Sequence, residues 1–281
     1  MRFNPKANIG GGRSRDVGGS RGGGGMGNLP IGGITGGGVG TIVVVIIIFV
    51  LSQFLGGGGG GGTSPQGSTD RYENCRTGAD ANESADCARQ AVELSMRDYW
   101  TSTLPRQTDT SFQTTEVVTF TGGVNTGCGQ ADSSIGPFYC PTDRTIYLDT
   151  TFFEDVLEGQ LGGQGGDFVE PYVLAHEYGH HIQNLLGTMG RVKTQEGPTS
   201  DAVRLELQAD CYAGMWTQGA LRTTDSEGNL IFEEISDDDI EEALDAAKTV
   251  GDDRIQQQSG GGVDKERWTH GSSAQRMHWF R

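Results

Sequence analysis

The sequence predicts an α+β body behind a membrane anchor, and three observations carry that expectation. Residues 39–55, VGTIVVVIIIFVLSQFL, form an uncharged run of 17 residues. Beyond it, 112–121 and 144–149 carry the β-branched and aromatic alternation of strands. Segments 84–103, 167–186 and 200–217 repeat apolar residues at helical spacing. Together they predict a small mixed or antiparallel sheet from the 112–149 region, packed on two of the helices.

Taken in order, residues 1–38 read as a flexible, basic, glycine-rich cytoplasmic tail. They carry five Lys/Arg against Asp16 alone, a charge of +4 in a chain whose net charge is −16. The GGSRGGGG stretch also resembles an RNA-binding RGG segment, but a flexible juxtamembrane tail is the simpler reading. Residues 39–55 read as a transmembrane anchor, since about 20 residues span a bilayer core and the glycine-rich lead-in can extend the run. A cleavable signal peptide is the rival. Against it stand the long basic head and the lack of a small-residue cleavage site. Positive charge before the span puts the N-terminus in the cytoplasm and the body outside, a single-pass membrane protein touching lipid through 39–55. Residues 56–70 are a linker, leaving 71–281 as the folded domain. Residues 39–281 carry 16 Lys/Arg against 36 Asp/Glu, too acidic for a nucleic-acid partner.

Cys75 and Cys87, like Cys128 and Cys140, are 12 positions apart, a separation that suits short disulfide loops in an oxidising compartment. Cys211 is left over in a helical pattern and reads as a buried, inert thiol. In 84–103, Ala88, Val92, Met96, Tyr99 and Trp100 form the apolar face, and Pro105 helps end the helix. Asp167 could cap the next helix, which Gly187 ends. Ser236, followed by three aspartates, opens another. The tail WTHGSSAQRMHWFR shows no clear period.

The chemistry lies in His176-Glu177-Tyr178-Gly179-His180. On a helix, positions i and i+4 share a face, so both imidazoles can reach one Zn²⁺ while Glu177 projects beside it as a general base. A third ligand is needed. Glu206 can supply it from the second helix, and Asp210, one turn on, can accept the free ring N–H of His176 and fix its tautomer. An exposed acidic helix face is the plainer alternative for these two, but apolar neighbours from Leu205 to Trp216 point to burial. His181 faces elsewhere and should pack or bond locally. His270 and His278 are open; either could donate a hydrogen bond to a developing oxyanion, but spacing does not require it. The pattern implies metal-assisted amide hydrolysis, with one zinc per chain and protein or peptide as substrate. The alternative is a non-catalytic envelope protein in which zinc is structural and the acidic surface binds a partner, though a structural site has no use for a base beside its ligand. An intramembrane protease is disfavoured, because the motif lies far beyond the apolar run and its helix is too polar for lipid.

The stretches GPFYCPTDRTIYLD, YVLAHEYGHHIQNLLG, RLELQADCYAGMW, GDDRIQ and THGSSAQRMHWF, with the anchor, resemble the bacterial neutral zinc metallopeptidase family. The resemblance covers roughly 70–281 and the basic head. It implies a zincin-like peptidase domain with His176, His180 and Glu206 as ligands, Glu177 as base and a bacterial cell-envelope setting. With the anchor, the whole reads as a zinc endopeptidase acting outside the cytoplasm.

Overall fold

In a computed structural model the described residues are 1–19, 68–133 and 135–281. The chain begins with β1 (Arg2–Phe3) and β2 (Ser14–Gly19). Helices α1 (Gly78–Glu83) and α2 (Ala85–Gln107) follow. Next come β3 (Glu116–Thr121), the hairpin β4 (Gly123–Thr126) and β5 (Gly129–Asp132), then β6 (Phe138–Cys140) and β7 (Thr145–Asp149). A π-helical turn at Phe153–Glu158 precedes α3 (Val169–Leu185), and a 3₁₀ turn at Met189–Arg191 leads to α4 (Asp201–Ala220). The chain continues through β8 (Phe232–Glu234), α5 (Asp237–Thr249), α6 (Asp252–Gln258) and α7 (Ser273–Phe280).

The sheet is mixed, in the order β2-β3-β7-β6. β2 and β7 run parallel to β3, and β6 is antiparallel to β7. Its two faces join different cores. Val117, Tyr139, Ile146 and Leu148 face the helices, while Val118, Phe120, Phe138 and Tyr147 pack with the β4–β5 hairpin. Burial on both faces explains why every residue of β7 is buried. Disulfides join Cys75 to Cys87 and Cys128 to Cys140, the second tying the hairpin to β6. Cys211 is free and only partly buried.

Helix ends follow local chemistry. Ser200 Oγ accepts from Val203 N at 3.2 Å, and Ser236 forms a capping box with Asp239. Gly187, at φ +68°, turns the chain out of α3. Two details differ from expectation. α2 continues two residues past Pro105, because a proline in the last turn removes only one late N–H and Thr108 N still closes on Leu104 O at 3.0 Å. Asp167 does not cap α3; Phe168 holds that position and its N–H donates to Glu242 Oε2 at 2.8 Å.

The membrane topology is corrected. Among the described residues, no helix is long and apolar enough to cross a membrane. The run 39–55, expected as a transmembrane helix, lies outside the described residues. The chain on its N-terminal side also contradicts the expected single-pass arrangement. β2 pairs in parallel with β3, β1 pairs with β8, and Phe3, Ala7 and Ile9 are part of the main core. Residues before and after 39–55 therefore share one folded body, whereas one membrane crossing would put them on opposite sides. The first 19 residues are a built-in part of the domain rather than a free cytoplasmic tail.

Candidate metal centre

α3 and α4 touch where both have small residues. A Cβ on Gly179 would lie 3.0 Å from the Cα and carbonyl O of Ala209, so glycine in the motif sets the helix separation. On either side of Ala209, Glu206 and Asp210 then meet the histidines of α3. Glu206 Oε2 lies 3.1 Å from His176 Nε2, and Oε1 lies 3.4 Å from His180 Nε2. The two imidazoles stand nearly perpendicular, centroids 4.8 Å apart. His176, His180 and Glu206 each offer a ligand atom, all within 4.8 Å of one another.

The far side of each ring is held. His176 Nδ1 is 2.8 Å from Asp210 Oδ1, and His180 Nδ1 is 2.8 Å from Gln183 Oε1. Oxygens at those positions assign the ring protons to Nδ1 and leave both Nε2 lone pairs aimed at the Glu206 carboxylate. Three electron-rich groups buried face to face repel unless positive charge, a metal cation or a second proton on His176, sits among them. The donor set, two imidazole nitrogens and a carboxylate, suits Zn²⁺. A second acidic grouping, Asp167, Asp239 and Glu242, is met by the Met1 ammonium, 2.9 Å from Asp167 Oδ1.

Asp210 is itself clamped. Arg276 donates from Nε to Oδ2 at 2.9 Å and from Nη2 to Oδ1 at 3.0 Å, while the Tyr172 hydroxyl donates to Oδ1 at 2.6 Å. Arg276 Nη2 also comes within 3.2 Å of His176 Nδ1. Both cannot donate into one gap, and the shorter contact with the carboxylate decides for Nδ1–H donating to Asp210. Gln183 in turn donates to Leu205 O at 2.7 Å and Gln208 Oε1 at 3.0 Å. Tyr172 and Gln183 lie on the histidine face of α3, four before His176 and three after His180, so helical spacing could have found them. Arg276 comes from α7, and no local signal marks it.

Charge follows this pairing. Burial favours neutral His176, but Asp210 and the hydrogen bonds to Asp210 and Glu206 outweigh it and raise the pKa to about 9. Burial lowers His180 to about 4. Glu206 is held well below the usual carboxylate range, because His180 and His176 overcome the burial that opposes its ionisation. Glu177 stands outside the ligand trio. Burial, helped by the Glu206 charge, raises it to about 8, although the Tyr139 backbone N–H supports its ionised form. A cation among the ligands would favour that form further.

His181 turns to the sheet, with Nδ1 3.0 Å from Tyr139 OH and Nε2 2.6 Å from Gln113 O. His278 is exposed at the end of α7. His270 is buried beside Asp252 of α6.

An α+β domain holding a His-His-Glu group that could bind a metal is a candidate metalloenzyme. Residues 2–281 match the model of the family described as "Putative neutral zinc metallopeptidase", and the chain belongs to that family, which places it coarsely among the hydrolases. It is 51% identical over 208 residues to an uncharacterized protein of Mycobacterium tuberculosis, covering 73% of this chain and 69% of that relative. An uncharacterized protein of Mycobacterium bovis matches to the same extent. The uncharacterized protein YpfJ of Escherichia coli is 44% identical over 182 residues, covering 61% of this chain and 58% of the relative. No solved structure matches.

Proposed function

We propose that this protein is a zinc-dependent peptidase that hydrolyses peptide bonds in protein or peptide substrates, with His176, His180 and Glu206 as ligands and Glu177 as general base. One observation carries the reading. Three donors converge from two helices, and a buried carboxylate stands next to the first of them without joining the convergent group. A purely structural zinc closes with four protein ligands and needs no adjacent base.

Zn²⁺ bound there would supply Lewis-acid polarisation of water and of the scissile carbonyl. The chain's own residues do the rest. Glu177 takes a proton from the attacking water and delivers it to the leaving amine nitrogen. Asp210, held by Arg276 and Tyr172, fixes the His176 ring, and Gln183 fixes His180. The Tyr139 N–H holds the Glu177 carboxylate in place.

The test is Glu177→Gln in the zinc-loaded protein, assayed on a peptide library. Zinc content and melting temperature should match the wild type, while turnover falls by about 10²–10⁴. Wild-type rates in the variant would remove Glu177 from the mechanism. Absence of cleavage by the wild type, with one zinc bound, would return the protein to the non-catalytic reading.

A further inference from the structure

The stretch after α6 runs alongside α4 in the same direction. A Cβ on Gly271 would lie 3.3 Å from both Leu207 Cδ2 and Val203 Cγ1. Arg276 reaches Asp210 at 2.9 Å, and a Cβ on Gly214 would strike the Phe280 carbonyl O. Reading these contacts as levels along α4, Arg276 stands at Asp210 and His270 stands at Glu206.

His270 is only 6% exposed and is firmly placed. Asp252 Oδ2 accepts the backbone N–H groups of Thr269, His270 and Gly271 at 2.8, 2.7 and 2.8 Å. That clamp fixes the loop and leaves Asp252 Oδ1 3.3 Å from His270 Nδ1, with Thr269 Oγ1 3.0 Å from the same nitrogen. The nearer of the two, Thr269, puts the ring proton on the other nitrogen. Its hydroxyl, donating into Nδ1, leaves the neutral ring's proton on Nε2. Among the described residues Nε2 has no hydrogen-bond partner, and His270 is outside the convergent ligand group.

We propose that His270 is a catalytic residue of this centre, its Nε2–H donating to the substrate oxygen that gains negative charge as the peptide bond is attacked. The assignment rests on the peptidase reading and gives that oxygen a donor aimed from the α4 side, opposite the base on α3. A donor placed there acts mainly on the transition state, where the charge develops.

The experiment compares zinc-loaded full-length wild type, His270→Ala, His270→Gln and Asp252→Asn. Zinc content and circular dichroism check the fold, and calorimetry measures binding of a peptidyl phosphonamidate, whose tetrahedral anionic phosphorus stands in for the attacked carbonyl. His270→Ala should keep one zinc per chain, bind this probe about 10²-fold more weakly, and lose about 10²–10³ in kcat with little change in KM. His270→Gln retains an N–H donor and should recover part of both; it also serves if the alanine variant does not fold. Asp252→Asn should fall between. Equal probe affinity in wild type and both His270 variants, or no binding by the wild type, overturns the role of His270. A wild type that cleaves peptides, with both His270 variants equally active, also overturns it and leaves the peptidase reading standing. A wild type that binds the probe with this dependence on His270 yet cleaves no peptide supports the oxygen contact and overturns the peptidase reading instead.

Discussion

The two sides of α3 treat a buried carboxylate in opposite ways. On one side His176 leans on Asp210, which is fully buried. On the other, Tyr178 is within electrostatic reach of Glu93 on α2, which is 1% exposed. Burial opposes ionisation of Asp210, but the Arg276 guanidinium and His176 overcome it and bring the pKa to about 2. Burial raises Glu93 to about 7, because Arg97 and the Arg13 N–H offset it only in part. The difference is pairing. Asp210 has a two-pronged guanidinium, a hydroxyl and a ring N–H, whereas Glu93 Oε1 and Tyr178 OH lack hydrogen-bond partners among the described residues. Burial sets the penalty, and the partners decide its sign.

The sharpest way to break this comparison is Asp210→Ala. It leaves Arg276 charged, buried and unpaired, which should destabilise the protein by about 3–5 kcal/mol. It also frees the His176 ring, so zinc affinity should fall by about 10–100-fold. Urea unfolding and chelator competition measure the two effects separately. Adding Arg276→Met should restore much of the stability and none of the zinc affinity, since the orphaned charge is gone but the ring is still loose. A single-variant loss below about 1 kcal/mol would show that Arg276 finds another partner or water, contrary to the pairing argument.

The same contrast explains what the sequence could reveal. Ligand spacing is a local property: His176 and His180 share a helical face by periodicity alone, and Glu206 and Asp210 follow the same rule on α4. The Ser272-x-x-Gln275 capping box that opens α7 is a local signal too, yet the tail shows no clear apolar period to extend it into a helix. Arg276 and His270 are 66 and 64 positions from the acids at their level, Asp210 and Glu206, and only tertiary packing unites them. β2 was hidden for another reason. Its SRDVGG sequence has no strand period, and its central Asp16 is buried because Gly18 N, Thr69 Oγ1 and Thr119 Oγ1 donate to it at 2.8–2.9 Å. Such a strand exists by virtue of its partner β3, and composition instead suggested a flexible tail.

Glu93→Gln probes the other side of α3. The folded pKa of Glu93 lies above its ordinary 4.5, so the native state keeps a proton that the unfolded chain loses. Stability therefore falls as pH rises from about 4.5 to about 7 and is level above, by about 3 kcal/mol at most. Asp210 has the opposite sign: its contribution is present above the ordinary 3.8 and is lost as pH falls through about 2. Glutamine keeps an oxygen for the Arg13 N–H, which donates to Glu93 Oε2 at 2.6 Å, and removes the charge. The variant should equal the wild type below pH 4.5 and exceed it at pH 8, measured as the difference between two urea-unfolding series. A wild type that is the more stable of the two at pH 8 would mean that Arg97, 3.5 Å from Oε1, pairs with Glu93 fully.

The smallest expected effect compares the two rings themselves. His180 is backed by Gln183, a neutral amide on its own helix, where His176 is backed by the charges of Asp210 on α4 and Arg276 on α7. Gln183→Ala leaves no ion unpaired. Leu205 O still accepts within α4, Gln208 can turn to water, and the lost contacts amount to about 1–2 kcal/mol. The His180 ring loses its tautomer lock, so zinc affinity should drop by about 10-fold, the low end for a group that orients a ligand. Chelator competition on Gln183→Ala and Asp210→Ala side by side gives the ratio. Equal losses of affinity would mean that orienting the ring is all that either partner does, and that the charge on Asp210 adds nothing to the basicity of His176. A clearly larger loss for Asp210→Ala would assign the excess to that charge, acting through Nδ1 on the nitrogen that meets the metal.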